Sequence, residues 1–423
     1  MQRQAYYPKK PGCEIQKAMH KMRPMSKELC LICKGGRALC GISPCPLLQK
    51  INIQAPIKEK LSEDFFGPSP SIFVGRQGYP DVFVGPMTSL DPENASLQDN
   101  PAQWYGSNID EIIRMRSLLV RSKRRQGIRE RTMYMEQSKE LALSIKPTDI
   151  EVLFKSKPTY KISFSPISQP MGPSGVIKNF QITENPKIPR KVDSVVSDEI
   201  KAVDAVFELY KNKFDVYYLT TVLSSGALGL KENKKLVPSR WSITGIDDII
   251  AKELMKDIRN FPEINEFLVY ENTYLENHFE ILMMPGKWEF EQFEAWAPRT
   301  LWTLAYEKPI IQEEYEGYKG RTKYAEKEGG GYYAGRIAVT EKLYGMRRQA
   351  RVVIFREIYE GYTIPVGVWE VRENVRRALE KDPRKFGTLR DALEDVTSRL
   401  RIPLEEYTKR SELLRQRKIV EYF

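Results

Sequence analysis

Asn265-Glu266-Phe267-Leu268-Val269-Tyr270 and His278-Phe279-Glu280-Ile281-Leu282-Met283 are two short apolar and aromatic runs separated by a polar turn. Their length and composition predict two strands. Working outward, Arg351-Val352-Val353-Ile354-Phe355 and 362–368 predict further strands, and 370–380, 388–400 and 404 onward predict closing helices. Upstream, Ser71-Ile72-Phe73-Val74 and Asp81-Val82-Phe83-Val84 bracket a Gly/Pro turn, and 194–211 predicts a helix with Ala, Val and Leu on one side. The class is α+β, a mixed-sheet core with a cysteine module before it and helices after it.

Seven prolines between 147 and 189 forbid a long helix there. The expected organisation is therefore a basic module over 1–50, a core over 51–400 dividing into two subdomains near 147–192, and a C-terminal helix and tail over 401–423. The 41% hydrophobic content suits sizeable cores, and the apolar runs fall far short of a bilayer span. With no signal-peptide pattern at the N-terminus, a cytoplasmic protein with no membrane contact is expected. The net charge is +11, and residues 1–50 hold ten Lys/Arg against Glu14 and Glu28, leaving +3 for the rest. Such local basicity favours an arm that touches an anion.

All five cysteines lie in that first stretch. Cys30, Cys33, Cys40 and Cys45 can close a four-thiolate tetrahedron, which suits zinc, although the second pair is spaced less regularly than the first. An iron–sulfur cluster is the competing occupant. A zinc-loaded module would keep about +6 of charge, compatible with a phosphate backbone or with a purely structural knob. Cys13 is not expected among the ligands, and His20 could substitute for one thiolate or, close to Lys17 and Lys21, be a solvated surface residue.

Several stretches carry anion chemistry. The turn Gly75-Arg76-Gln77-Gly78-Tyr79-Pro80 places Arg76 and Tyr79 among glycines, as a ligand loop or an ordinary hairpin turn would. Asn108, with Glu111 three residues on, caps a helix that the apolar spacing carries into the arginine-rich run 114–131, which would lie along phosphates or form a solvated face. Prolines stiffen Lys187, Arg190 and Lys191. Pro238-Ser239-Arg240-Trp241-Ser242 leads to a helix capped by Thr244 or Asp247, combining a phosphate partner, a stacking face and a carboxylate, or simply a helix start with a packed Trp241. Gly329 to Arg336 predicts a mobile glycine loop, and no Gly-Lys-Ser/Thr follows to make it a Walker motif.

The catalytic inventory is thin, because His278 is the one central histidine. Catalysis would need Ser239, Arg240, Asp247, Arg76, Arg190 and His278 to meet in one cleft. The cations and aromatics Arg76, Tyr79, Arg190, Lys191, Trp241 and Ser242 would then hold a phosphate ester or nucleotide.

The chain ends Gln416-Arg417-Lys418-Ile419-Val420-Glu421-Tyr422-Phe423. One helical turn brings Ile419, Tyr422 and Phe423 to one side, with Gln416 as a polar anchor, to plug a partner's pocket or to pack on the protein's own core. This spacing resembles the motif of proteins recruited to the DNA sliding clamp, PCNA. In order along the chain, the cysteine module, Phe73-Val74-Gly75-Arg76 to Tyr79-Pro80, Pro186-Lys187-Ile188-Pro189-Arg190, Pro238-Ser239-Arg240-Trp241-Ser242 and the terminal motif resemble the archaeal DNA repair family called Nre. The resemblance implies DNA repair with PCNA, contact with DNA, and a zinc-binding N-terminus, but no settled reaction. Two classes stay open: an enzyme that processes damaged or modified DNA ends, and a nonenzymatic adaptor between the clamp and other repair proteins.

Overall fold

The computed structural model describes Cys30 and residues 32–34, 37–41, 43, 45–160, 169–300, 303 and 308–415. Gln416, Ile419, Tyr422 and Phe423 lie outside these residues, as do Cys13 and His20.

Two six-stranded mixed sheets organise the chain, in keeping with the expected α+β class. The first runs in spatial order β1 (Asp64–Ser69), β5 (Thr148–Phe154), β6 (Ser174–Ile182), β4 (Leu119–Gly127), β3 (Asp81–Ser89) and β2 (Ser71–Val74). Only β4 and β6 pair in parallel. The second runs β10 (Ile310–Glu316), β9 (Glu289–Trp296), β11 (Arg351–Ile358), β8 (Asn277–Met284), β7 (Phe267–Tyr274) and β12 (Arg384–Phe386), with β9 and β11 its parallel pair. The two runs quoted first are β7 and β8, which pair directly.

The helices are α1 (Pro46–Gln54), α2 (Ala95–Gln98), α3 (Ile109–Ser117), α4 (Met133–Leu143), α5 (Arg190–Ser197), α6 (Ala202–Lys211), α7 (Val216–Ser224), α8 (Ser239–Ile258), α9 (Gly330–Met346), α10 (Trp369–Glu380), α11 (Leu389–Thr397) and α12 (Leu404–Thr408). Phe279, Ile281, Val352 and Ile354 face α8, α9 and α10 through Ile250, Leu254, Ile337 and Val375. The opposite face of that sheet buries Leu282, Phe293, Val353 and Phe355 against Ala392, Val396 and Tyr407. In the first sheet, Val82, Val84, Val152 and Phe180 pack with Tyr134 and Leu141 of α4. Burial of each large aliphatic or aromatic side chain contributes roughly 1.5–3 kcal/mol. Among the described residues no helix is long and apolar enough to cross a membrane.

Several expectations are corrected. Asn108 and Glu111 do form a capping box, but α3 ends at Ser117, and Arg121 to Arg125 lie in β4. The long cation stems can cover apolar surface in a strand as well as in a helix, so pairing with β3 and β6 decides. The glycine run from Gly330 is the first turn of α9. Glycine disfavours a helix by about 1 kcal/mol per residue, yet a Cβ on Gly335 would stand 2.0 Å from Gln292 Oε1. Residues 194–211 split into α5 and α6, 362–368 form no strand, and α8 begins at Ser239 after Pro238, ahead of Thr244 and Asp247.

Candidate functional site

The turn between β2 and β3 and the start of α8 meet in space. Gly78 adopts φ +83°, and the Gly75 amide donates to Phe83 O at 2.7 Å, which shapes the turn. Its flank is pinned to the helix, because the Val74 amide donates to Ser239 Oγ at 3.0 Å. The rings of Tyr79 and Trp241 approach to 5.0 Å with a 56° tilt. This docking sets Arg76 beside Arg240, and neither has a carboxylate partner among the described residues. Burial first, and then the Arg76 charge, push the Arg240 guanidinium down. Two neighbouring cations with no carboxylate partner among the described residues suit a bound anion.

The start of α9 forms the adjoining wall. Gly329 has φ +58°, and no side chain caps the helix. A Cβ on Gly330 would lie 3.5 Å from Thr244 Oγ1, one turn of α8 beyond Arg240, and 3.0 Å from Val368. Tyr324 connects the two walls: its hydroxyl bonds to the Thr244 side chain and its ring faces Tyr333 at 5.5 Å. Burial raises the Tyr324 phenol against the opposing pull of Arg240.

Beneath this helix start lies a buried acid cluster. A Cβ on Gly331 would stand 3.1 Å from Glu294 Oε2, so glycine lets the helix start and the carboxylate approach closely. Glu294 accepts from Arg356 Nη1 at 2.7 Å, Arg356 Nη2 reaches Glu370 at 3.4 Å and Asn277 Oδ1 at 2.7 Å, and Asn374 donates to Glu370 at 2.8 Å. Gln292 donates to Glu328 at 2.6 Å, while Glu328 Oε1 and Gln292 Oε1 lack hydrogen-bond partners. Burial lifts Glu370 to about 7, raises Glu294 despite Arg356, and raises Glu328 well above the usual carboxylate range. Burial thus raises three carboxyls around one guanidinium, and the one lifted to about 7, Glu370, lies in the range that acid/base chemistry uses. Sequence reasoning missed this cluster. Its trace is visible in the chain as Gln292, Glu294 and Arg356, polar residues inside largely buried strands.

The remaining candidates are placed elsewhere. Asp247 is fully buried and gripped by Arg372, Nε to Oδ1 at 3.0 Å and Nη2 to Oδ2 at 2.5 Å. His278 sits on the opposite face of β8 from the Asn277–Arg356 contact, between Thr273 Oγ1 at 2.7 Å and Glu280 Oε1 at 3.0 Å. Arg190 is exposed at the first turn of α5, Lys191 pairs with Glu208 at 2.7 Å, and Ser242 is buried with its hydroxyl toward Val237 O at 3.5 Å. The six groups named for catalysis therefore do not meet in one place; Arg76, Ser239 and Arg240 lie together where the turn docks on α8.

Among the described residues no disulfide joins Cys30, Cys33, Cys40 or Cys45, and the Leu39 amide approaches Cys33 Sγ at 3.4 Å. Burial first, then the charges of Cys40, Cys45 and Cys33, raise the Cys30 thiol. The donor set suits zinc chemically, but among the described residues no three His, Cys, Asp or Glu side chains are arranged to hold a metal.

The family described as Archaeal Nre, N-terminal, matches residues 39–303, and the family described as Archaeal Nre, C-terminal, matches 316–422. The chain belongs to the archaeal Nre family. DNA repair protein NreA of Archaeoglobus fulgidus is 37% identical over 88% of this chain and 93% of its own length. DNA repair protein NreB of the same organism is 34% identical over 93% and 99%, and DNA repair protein NreA of Haloferax volcanii is 34% identical over 82% and 85%. No solved structure matches the chain. Both Nre regions contribute to this part of the structure: the N-terminal one contains Arg76, Arg240 and Glu294, and the C-terminal one contains the start of α9, Arg356 and Glu370. The N-terminal Nre match starts after Cys30 and Cys33.

Proposed function

We propose that this Nre chain is a DNA repair protein brought to DNA by the PCNA sliding clamp, and that its cleft binds the phosphate of a nucleotide at a damaged or modified DNA end. The observation that carries the reading is the pairing of Arg76 with Arg240, uncompensated by any described carboxylate, beside Tyr79, Trp241 and Tyr324. The names of the relatives support the repair role. Glu294 and Glu370 supply proton transfer to a phosphate ester or nucleotide held there, with Arg356 orienting both. Cys30, Cys33, Cys40 and Cys45 hold a structural zinc ion, and Gln416, Ile419, Tyr422 and Phe423 engage the clamp.

A second reading, a nonenzymatic adaptor between the clamp and other repair proteins, is favoured by one finding. Ser239, Asp247 and His278 are all engaged in structural hydrogen bonds. The deciding experiment is calorimetric binding of nucleoside 5′-monophosphates and 5′-phosphorylated oligonucleotides, with turnover assayed beside it. Under the cleft reading, Arg240→Ala and Arg76→Ala each weaken phosphate-dependent binding at least tenfold, and Glu294→Gln spares binding while abolishing turnover. Phosphate-independent binding in every variant rejects the cleft. Phosphate-dependent binding with no turnover by the parent chain selects the adaptor.

A further inference from the structure

The first sheet has a second face, turned away from its core. Directly opposed residues of neighbouring strands share a face. Phe83 therefore projects with Arg125 across β3 and β4, and Lys123 with Val176 across β4 and β6. Arg121, two residues from Lys123, lies over the Phe73 ring of β2 at 5.9 Å. Val82, Val84 and Val120 of the same strands are buried in the core. The outer face thus interleaves Phe73 and Phe83 with Arg121, Lys123 and Arg125.

These cations are positioned. Arg121 Nη2 donates to Gly172 O at 3.1 Å, Arg121 Nη1 approaches Met171 Sδ at 3.1 Å, and Lys123 Nζ donates to Ser174 Oγ at 2.6 Å. Neither Arg121 nor Arg125 forms an ion pair among the described residues. A merely solvated cation row would not need aromatic rings between its members. An apolar protein partner would leave the guanidinium charges buried and unpaired. A single nucleic-acid strand satisfies both, with phosphates on the cations and splayed bases on the ring faces. Duplex DNA fits less well, because its paired bases do not present their faces to the phenyl rings. β6, β4, β3 and β2 side by side span about 14 Å.

The row also leads somewhere. A Cβ on Gly78 would lie 3.2 Å from Arg125 Nη2, so the end of the row abuts the turn that carries Arg76 and Tyr79. We propose that this face is a single-stranded nucleic-acid platform that delivers the end of the strand into the Arg76–Arg240 cleft. The directional part rests on the cleft reading, whereas strand binding by the face does not.

Fluorescence anisotropy on the full chain tests this with a 12-nucleotide oligo-dT, its RNA counterpart and a 12-base-pair duplex. Phe83→Ala and Arg125→Ala should each weaken single-strand binding roughly tenfold, with Phe83→Trp restoring it and Arg125→Ala flattening the salt dependence by about 0.7 in log–log slope. Nucleoside 5′-monophosphate binding should be unchanged in all three variants, which separates failure of the platform from failure of the cleft. Tighter binding of RNA or of DNA names the source of the strand and supports the platform either way. Parent-like single-strand binding by Phe83→Ala and Arg125→Ala, or preference for the duplex, overturns the proposal and returns this face to a protein contact.

Discussion

The Val74 amide ends on the hydroxyl of Ser239, 165 residues along the chain and 3.0 Å away. The bond fastens the edge of the first sheet to the start of α8, and with it the turn that carries Arg76 to the helix that carries Arg240. Ser239 therefore acts as a positioning residue. Ser239→Ala should lower stability by about 1 kcal/mol and weaken phosphate binding several-fold, with Ser239→Thr recovering most of both. Unchanged binding in Ser239→Ala, measured by calorimetry, would separate the hydroxyl from the cleft.

Asp247 belongs to the framework. Its bidentate bond to Arg372 is buried on both sides, so removing one partner strands a charge in the interior. Asp247→Ala is expected to lose roughly 3–5 kcal/mol of stability, and the double variant Asp247→Leu/Arg372→Met to regain part of it. Urea unfolding of the three proteins checks this. A parent-like midpoint for Asp247→Ala would contradict it.

Glu291 ties the last described segment to β9. It accepts from the Glu412 amide at 2.6 Å, the Leu413 amide at 3.4 Å and the Ser411 hydroxyl, yet burial prevails and lifts the carboxyl to about 7. The folded state then holds this proton through a range in which the unfolded chain, near pH 4.5, has released it. Its contribution is complete below the unfolded value and is lost as pH rises through about 7. Between pH 5 and 8 the parent should lose about 2 kcal/mol relative to Glu291→Gln. Parallel stability profiles for the two proteins would remove Glu291 as the cause.

Metal analysis of the purified chain should return about one zinc per molecule, with Cys33→Ser and Cys45→Ser both losing it. Release of zinc by a chelator should lower the melting temperature of the parent and leave those variants unmoved. Iron and sulfide in its place, with visible absorption, would assign the four thiols to a cluster.

The terminal motif is tested by calorimetry against the sliding clamp, with the full chain beside a version ending at Arg415. Micromolar or tighter binding that disappears on truncation is the expected result. Equal binding by both forms would move the contact elsewhere on the surface, and absence of binding by both would remove the clamp from the proposed function.

The sequence by itself determined the α+β class, the hairpin around 71–84, the capped start of α3 and the family, because each is written in local periodicity, turn chemistry or contiguous blocks. It also exposed Arg76 to Tyr79 and Ser239 to Trp241 as polar blocks. Local signals failed where tertiary pairing outweighs propensity. Arg121 to Arg125 carry stems that suit either helix or strand, and pairing with β3 and β6 made them a strand. Gly330 and Gly331 suggest mobility in sequence, but they lie in the first turn of α9, where a Cβ on Gly331 would stand 3.1 Å from the Glu294 carboxylate. Only the tertiary structure brought Arg76 to Arg240 and gathered Glu294, Glu328 and Glu370 around Arg356. Those charge relationships depend on distances across separate strands and helices, and the desolvation that raises the carboxyls exists only after the second sheet is covered by α9 and α10.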